Sequence, residues 1–239
     1  MMAPVLSVAL MFGGCGQGAP SDTLGYLWPM RADSIKEVAC RRPESYTPAE
    51  GDLLFFTSRR PAYKVGYGLA GTGEPWHVCL IVRDPSGELV VFDFAPPGAQ
   101  AYVASVSLAD RFDRKVIEDE EGYAWVRRLR RPVTAEESAT LTNVLATQSG
   151  KKFSPSTIAA QVLPGTRRLT GHFDPPRYDK ERWICSELVV FALQEAGLFP
   201  ATKYRASRFY PRDLMLDEKT SLSCNWATPM LWSRGTCPP

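Results

Sequence analysis

Short apolar runs separated by turn residues dominate the first half of the chain. Strands are predicted over Leu53–Thr57, Val78–Val82, Leu89–Phe94 and near Tyr123–Leu129, because each run is short, rich in aliphatic and aromatic residues, and bounded by turn residues. The segment Asp84-Pro85-Ser86-Gly87 separates the second run from the third and is a strong hairpin signal. The first half is therefore predicted to consist mainly of strands.

Helical patterns take over in the second half. Thr134-Ala135-Glu136-Glu137 is a capping box that predicts a helix, and the apolar run that begins at Cys185 predicts another. Shorter helices are predicted over Ser154–Val162 and, near the N-terminus, around Asp33–Cys40. Because strands cluster in one half and helices in the other, the predicted fold class is α+β and not a wound parallel sheet.

Cys185 lies where the second of these helices begins. A thiol at that position has its thiolate form favoured by unpaired N–H groups and by the positive end of the helix dipole, so Cys185 is a candidate nucleophile. One of the two histidines, His77, starts a predicted strand and is a candidate base, since a cysteine and a histidine far apart in sequence can meet in a fold. The other, His172, is predicted to lie in a surface loop. The Cys185 and His77 pair predicts a thiol hydrolase.

Strand alternation suggests a third member for this pair. Side chains alternate across a strand, so His77 and Cys79 are predicted to share one face. Asp93 is the charged residue of the next, otherwise apolar strand, and a hairpin turn at Pro85 and Ser86 would bring it near His77. Asp93 is then either a carboxylate that fixes the tautomer of His77 or an edge-strand carboxylate that faces solvent.

Several short motifs follow one another in an order that resembles a known family. They are Gly51-Asp52-Leu53-Leu54-Phe55, His77-Val78-Cys79-Leu80-Ile81-Val82, Val91-Phe92-Asp93-Phe94-Ala95, Cys185-Ser186-Glu187-Leu188-Val189 and Tyr210-Pro211-Arg212-Asp213-Leu214. With histidine before cysteine, the chain from Thr47 to Leu214 resembles the circularly permuted branch of the NlpC/P60 papain-like cysteine hydrolases, which includes the YiiX/YaeF-like bacterial proteins.

The resemblance implies a small antiparallel sheet packed against helices, with the nucleophile at a helix N-terminus. Carried over by position, Cys185 is the nucleophile, His77 the base and Asp93 the third polar member. Such a triad cleaves an amide or ester bond through a thioester intermediate. Backbone N–H groups at the start of the helix donate hydrogen bonds to the oxyanion. The chain departs from the family in two places: Cys79 stands where glycine is common, and Asp93 where glutamate is frequent.

Other side chains near these motifs each have two or more interpretations. Trp76 and Trp183 flank the candidate base and nucleophile, and they either line a substrate-binding groove or pack in the core. Cys79 is either a small core residue, a disulfide partner or a second thiol at the site. Glu187 lies in the first turn of its helix, where its charge either suits the dipole or, as a motif residue, orients a loop.

Composition limits the remaining functions. The chain has 239 residues, 44% of them hydrophobic, which is enough for one sizeable core. The net charge is +2 and basic residues are scattered among acidic ones, so nucleic-acid binding is not predicted. The cysteine spacings form no zinc knuckle, so no metal or other cofactor is predicted; a metal site built from His77, Cys79 and Cys185 is a remote alternative.

The chain is predicted to contain one main domain with flanking segments. In residues 1–20, the apolar run Pro4–Phe12 resembles a signal h-region and Cys15 resembles the cysteine of a bacterial lipobox, which predicts export to the cell envelope and attachment to the membrane through a lipid. The alternative is a packed, uncleaved N-terminus in a cytoplasmic protein. Residues 21–46 are assigned to an N-terminal extension, 47–216 to the permuted NlpC/P60-like catalytic domain, and 217–239 to a loop-rich C-terminal tail.

The remaining cysteines are an even set that could pair in an oxidising compartment. These are Cys40, Cys79, Cys224 and Cys237. Cys224 and Cys237 are the pair most expected to form a disulfide because they bracket the tail, and the alternative is that all four are free thiols.

Three functions compete on the sequence alone. The first is a peptidase or amidase that acts on peptides, peptidoglycan stems or similar isopeptides. The second is a lipid acyl hydrolase or acyltransferase with the same fold. The third is a binding module without turnover, which predicts that Cys185 resists iodoacetamide at neutral pH.

Overall fold

The structure of the protein is a computed structural model. It describes residues 23–39, 42–57, 72–95, 101–112, 122–154, 180–201, 204–217 and 221–235, together with positions 65 and 68. Several predictions concern residues outside these ranges: the leader over 1–20, the helix beyond Ser154, the surface position of His172, and any pairing of Cys40.

Eleven strands occur in the described residues. They are β1 (Tyr26–Arg31), β2 (Ser34–Val38), β3 (Glu44–Ser45), β4 (Leu53–Phe56), β5 (His77–Arg83), β6 (Leu89–Ala95), β7 (Tyr102–Ser107), β8 (Ala124–Arg127), β9 (Lys152–Phe153), β10 (Arg182–Trp183) and β11 (Met230–Ser233). They form one sheet in the order β10-β9-β7-β6-β5-β4-β8-β11-β1-β2, with β3 paired to β1. Only β9 and β10 pair in parallel among these strands. The sheet is thus larger than the small sheet that was expected.

Four α-helices accompany this sheet in the described ranges. They are α1 (Leu108–Phe112), α2 (Ala135–Gln148), α3 (Cys185–Glu195) and α4 (Pro211–Leu216), and two 3₁₀ turns cover Ala206–Arg208 and Leu222–Cys224. The capping box predicted for α2 is present, with Thr134 and Glu137 each accepting from the other's backbone N–H. The mixed α+β class is confirmed. Within the described part of the chain, every helix is too short or too polar to cross a membrane.

The two faces of the sheet bury different apolar clusters. Helices α2 and α3 pack on one face, and we call this cluster the first core; Phe55, Val78 and Leu80 point into it. The opposite face carries the second core, to which α1 contributes Phe112 and β11 contributes Trp232. Because side chains alternate along each strand, successive residues of β5 enter different cores.

The predicted N-terminal extension and C-terminal tail both contribute strands to the sheet. Strand β1 pairs with β11, and β11 pairs with β8, so the two segments continue the central sheet. The helix predicted near Asp33–Cys40 is wrong, because this segment contains β2. A hydrogen bond from Trp125 Nε1 to the carbonyl of Ile35, 2.6 Å long, ties β2 to β8 and favours the extended form.

The cysteines of the described residues are not paired with one another. Cys79 and Cys185 are buried free thiols, and Cys224 is an exposed free thiol. The disulfide expected for Cys224 is therefore not formed, and its expected partner Cys237 lies outside the described ranges.

Candidate active site

The site lies where β5 begins, at a point where β5 and β6 are not paired. Strand β4 pairs with β5 as far as His77, which faces Phe56 across the ladder. The register between β5 and β6, in contrast, runs from Arg83 only as far as Leu80. Backbone groups of residues 77–79 that face β6 are therefore available to side chains.

His77 and Asp93 meet across this unpaired end of the strands. The imidazole Nε2 lies 2.6 Å from Asp93 Oδ1. The Asp93 side chain is completely buried, whereas 23% of the His77 side chain is exposed. The alternative in which Asp93 faces solvent is thus wrong, because the buried carboxylate binds one nitrogen of the imidazole.

A third residue, Arg111 on α1, completes the surroundings of Asp93. Its guanidinium Nη2 forms an ion pair with Asp93 Oδ2 and also lies 3.4 Å from Cys79 Sγ. The guanidinium carbon lies 4.8 Å from the centre of the Phe56 ring. Sequence reasoning missed this residue. The available signal was Leu108 and Phe112, an apolar pair at helical spacing beside the arginine, which is weak in a five-residue helix.

These contacts set the charges of the buried groups. Burial raises the pKa of Asp93, but Arg111 and then His77 outweigh burial and hold the pKa well below its usual range. Burial likewise lowers the pKa of His77, while the charges of Asp93, Cys79 and Cys185 raise it well above its ordinary value of 6.5. The buried carboxylate is thus ionised and its imidazole partner readily takes a proton.

Cys185 reaches the same imidazole from the other side of the sheet. It is the first residue of α3, and its N-cap residue Ile184 makes no side-chain capping bond to the helix. Burial raises the pKa of the Cys185 thiol, but the charge and hydrogen bond of His77, followed by the backbone N–H of Val78, bring the pKa below its ordinary value. The structure therefore brings together all three predicted residues, Cys185, His77 and Asp93.

The two tryptophans have different surroundings. Trp183 is 2% exposed and packs against Phe191 with ring centroids 4.9 Å apart, which places it in the first core. Trp76 is also buried and contacts Tyr210, immediately before His77 in the chain. Core packing thus describes Trp183, whereas Trp76 stands beside the candidate base.

Glu187 has a partner that the sequence did not indicate. Its side chain is buried in the first turn of α3 and forms an ion pair with Lys180. The Lys180 ammonium lies 5.2 Å from the centre of the Trp183 ring, so it also covers that ring. Glu187 therefore combines a favourable position at the helix start with a buried salt bridge.

The spacing of His77, Cys79 and Asp93 raises the question of a metal ion. One ligand atom from each lies within 4.8 Å of the others. However, Arg111 Nη2 already contacts both Asp93 Oδ2 and Cys79 Sγ, so a divalent cation bound there would face a buried guanidinium. Burial also raises the pKa of Cys79 and favours the thiol, which is a poor metal ligand. These donors do not fit a metal centre.

The Gly-Asp-Leu motif supports the fold and lies apart from the imidazole. The carboxylate of Asp52 accepts hydrogen bonds from Tyr46 Oη at 3.1 Å, from the Ala49 N–H at 3.2 Å and from the Leu129 N–H at 3.1 Å. Burial raises the pKa of Asp52 to about 6, although these bonds oppose it. The motif therefore fastens the turn before β4 to the end of β8.

Comparison with solved structures shows a similarity of fold. The fold is similar to the crystal structure of the metalloprotein YiiX from Escherichia coli O157:H7, with a TM-score of 0.42 and 20% sequence identity over 63% of this chain and 67% of that one. No protein-family model matches the chain. A search of curated proteins gives no match either.

Proposed function

We propose that this protein is a cysteine hydrolase in which Cys185 is the nucleophile, His77 the general base and Asp93 the carboxylate that orients the imidazole. The observation that carries the proposal is the shared imidazole: Asp93 Oδ1 binds His77 Nε2 at 2.6 Å while the same ring interacts with the Cys185 thiol. Acyl transfer through a thiol requires a nucleophile, a base that contacts it, and a carboxylate that orients the base. Cys185, His77 and Asp93 are in contact in that order.

The reaction begins with transfer of the Cys185 proton to His77. The thiolate attacks the substrate carbonyl carbon, and the oxyanion accepts hydrogen bonds from backbone N–H groups at the start of α3, including that of Cys185. His77 returns the proton to the leaving group as the carbon–nitrogen or carbon–oxygen bond breaks, which leaves a thioester. Water, deprotonated by His77, then releases the acid and regenerates the thiol.

An amide is the substrate class that we propose. An amine leaves only when it is protonated, and the charge of Asp93 raises the pKa of His77, so that the imidazolium persists at neutral pH as a proton donor. Peptides and peptidoglycan stem peptides carry such bonds. An acyl ester, as in a lipid, needs less help from an acid, and hydrolysis of lipid acyl groups is the competing outcome.

Site-resolved alkylation tests the nucleophile without knowledge of the substrate. The full chain is treated with iodoacetamide at pH 7 and peptide mapping follows each cysteine separately, with the exposed Cys224 as an internal reference. We expect Cys185 to react faster than Cys224 although it is buried, and His77→Ala to abolish this difference. If Cys185 reacts no faster than Cys79, a buried thiol whose pKa is raised by burial, the proposal is wrong.

Product analysis then tests the substrate class. The protein and its Cys185→Ala variant are incubated with muropeptides in one series and with phospholipid vesicles in another. Amino groups released from muropeptides by the wild-type protein, and not by Cys185→Ala, support the amidase. Fatty acid released from the vesicles by the wild-type protein, and not by Cys185→Ala, supports lipid acyl hydrolysis instead.

We also propose that the protein reaches its substrate in the cell envelope, held by a lipid on Cys15. The lipobox-like sequence supports this proposal. Radiolabelled palmitate should enter the protein made in a bacterial host, and Cys15→Ser should prevent its incorporation. An unlabelled, cytoplasmic product would contradict the proposal.

A further inference from the structure

The carboxylate at the centre of the site is shared between two cations. Asp93 presents Oδ1 to His77 and Oδ2 to Arg111. The exposed fractions of the Asp93 and Arg111 side chains are 0% and 7%, so water screens this arrangement little. If Asp93 bound His77 alone, its full negative charge would act on the imidazole. Here the guanidinium of Arg111 neutralises part of that charge.

The guanidinium is itself held firmly in place. The Phe56 ring packs against it, and Phe112, the next residue of α1, contacts Phe56 with ring centroids 5.9 Å apart. Phe112 also lies 4.5 Å from the ring of Trp232 on β11. The position of Arg111 is therefore determined by the packing of the second core.

We propose that Arg111 is a positioning residue of the site: by binding Asp93 Oδ2 it fixes the carboxylate with Oδ1 toward His77, and its positive charge limits the pull of Asp93 on the imidazole proton. The inference rests on the proposed function, because it assigns to Arg111 the regulation of that base. An imidazole bound by an unshared buried carboxylate would hold its proton too tightly to deliver it to a leaving group.

The first experiment measures the imidazole directly and does not depend on turnover. The chain has two histidines, so NMR titration gives two imidazole curves, and His77→Gln assigns the one of interest. The titration is made in a Cys185→Ala background, which removes the coupled thiol. We expect Arg111→Gln to raise the pKa of His77 by about one unit, because a neighbouring positive charge is lost. The contacts of Arg111 with Asp93 and Cys79 are both made by Nη2, so the single ammonium of Arg111→Lys should leave the pKa of His77 close to that of the parent.

Arg127 provides a matched control. It is another buried arginine, but its guanidinium donates to the carbonyls of Ala227 and Leu214 at 2.9 and 2.7 Å. Arg127→Gln should lower stability and leave the His77 titration unchanged. An equal shift in both variants would mean that loss of a buried arginine perturbs the fold in general, and it would overturn the inference.

A second pair of variants covers the case in which Arg111→Gln does not fold. Asp93→Asn with Arg111→Gln replaces a buried ion pair by two neutral polar side chains, so neither charge is left buried without its partner. Compared with Asp93→Asn alone, the double variant should again show a higher pKa for His77, because the remaining repulsion by the guanidinium is removed. An unchanged pKa in this comparison contradicts the role of Arg111.

The last readout connects Arg111 to the reaction. In the chain with Cys185 present, His77 stays protonated over the range in which the thiol ionises, so the remaining effect of Arg111→Gln is the loss of a positive charge that attracts the Cys185 thiolate. The pH at which Cys185 becomes half-reactive toward iodoacetamide should therefore move upward by about one unit. If wild-type Cys185 is unreactive, the proposed hydrolase fails. If wild-type Cys185 is reactive and its pH profile is the same in Arg111→Gln, the hydrolase stands and the assignment of Arg111 fails.

Discussion

His77 Nε2 and Asp93 Oδ1 are joined by a 2.6 Å hydrogen bond between two strands whose backbones are not paired at that level. The side chains thus make the connection that the backbones do not. Because the carboxylate is fully buried and the imidazole is partly exposed, the ring presents its other edge to the thiol and to solvent.

Neutralising Asp93 should slow the chemistry of Cys185. Asp93→Asn keeps the shape of the side chain but removes the charge that stabilises the imidazolium, so the thiolate form of Cys185 loses its counterion. We expect turnover, measured on the substrate class identified by product analysis, to fall by about 10²- to 10⁴-fold. Asp84→Asn, in the exposed hairpin turn between β5 and β6, is the control and should retain wild-type activity. A variant Asp93→Asn with more than half of that activity would remove the carboxylate from the mechanism.

The stability of the fold should fall as pH rises through the range in which Asp52 ionises. Its pKa in the folded protein is about 6, above its ordinary value of 3.8, so its contribution is fully present below pH 3.8 and is lost as pH rises through about 6. The difference corresponds to roughly 3 kcal/mol in the free energy of unfolding. Urea denaturation between pH 4 and pH 7.5 measures it.

Asp52→Asn should remove this part of the pH dependence whatever its effect on absolute stability. The two unfolding curves are compared at each pH, and the difference between the proteins should change with pH in the predicted direction. A constant difference from pH 4 to pH 7.5 would show that the buried carboxylate of Asp52 does not titrate in this range.

Neighbouring residues of β11 should affect the site differently. Trp232 belongs to the second core and contacts Phe112, whereas Leu231 belongs to the first core. Replacement of either by alanine should cost about 2–5 kcal/mol of unfolding free energy. Only Trp232→Ala loosens the helix that carries Arg111, so only this variant should raise the pH at which Cys185 becomes reactive. The measurement is the alkylation profile at a temperature where both variants are folded, and identical profiles would contradict the link.

Chelation of metal ions should leave the reactivity of Cys185 unchanged. The guanidinium of Arg111 already contacts the Asp93 and Cys79 atoms that a divalent ion would use. Alkylation rates are compared before and after dialysis against EDTA, and metal content is measured in parallel. Loss of reactivity with EDTA, restored by one equivalent of zinc, would show that the cluster holds a metal in place of this ion pair.

The sequence predicts the central part of the fold well because its signals are local. The hairpin between β5 and β6 and the capping box of α2 depend on residues a few positions apart, and both occur as predicted. Placement of His77 and Asp93 on one face follows from strand alternation together with that hairpin. The thiol joins them because α3 starts where its apolar pattern starts.

Prediction from the sequence fails for residues whose structural role depends on partners that are distant in the chain. Strand β11 is four residues long and is stabilised by pairing with β1, some two hundred positions earlier in the chain, so its own pattern contains little information. Arg111 lies in a five-residue helix and its partner Asp93 is on another strand. Cys79, for which three interpretations were open, is a buried free thiol that contacts Arg111.

The position of the site at the beginning of β5 has a mechanical consequence. The thiol is attached to the helix layer through the first core, whereas the imidazole, the carboxylate and the guanidinium are attached to the second core on the other side of the sheet. A small sliding of α3 over the sheet would change the distance between sulfur and imidazole and leave the bond from His77 to Asp93 intact. Nucleophile and base can therefore be adjusted independently, the nucleophile by substitutions in residues that pack directly against α3 and the base by substitutions in the second core.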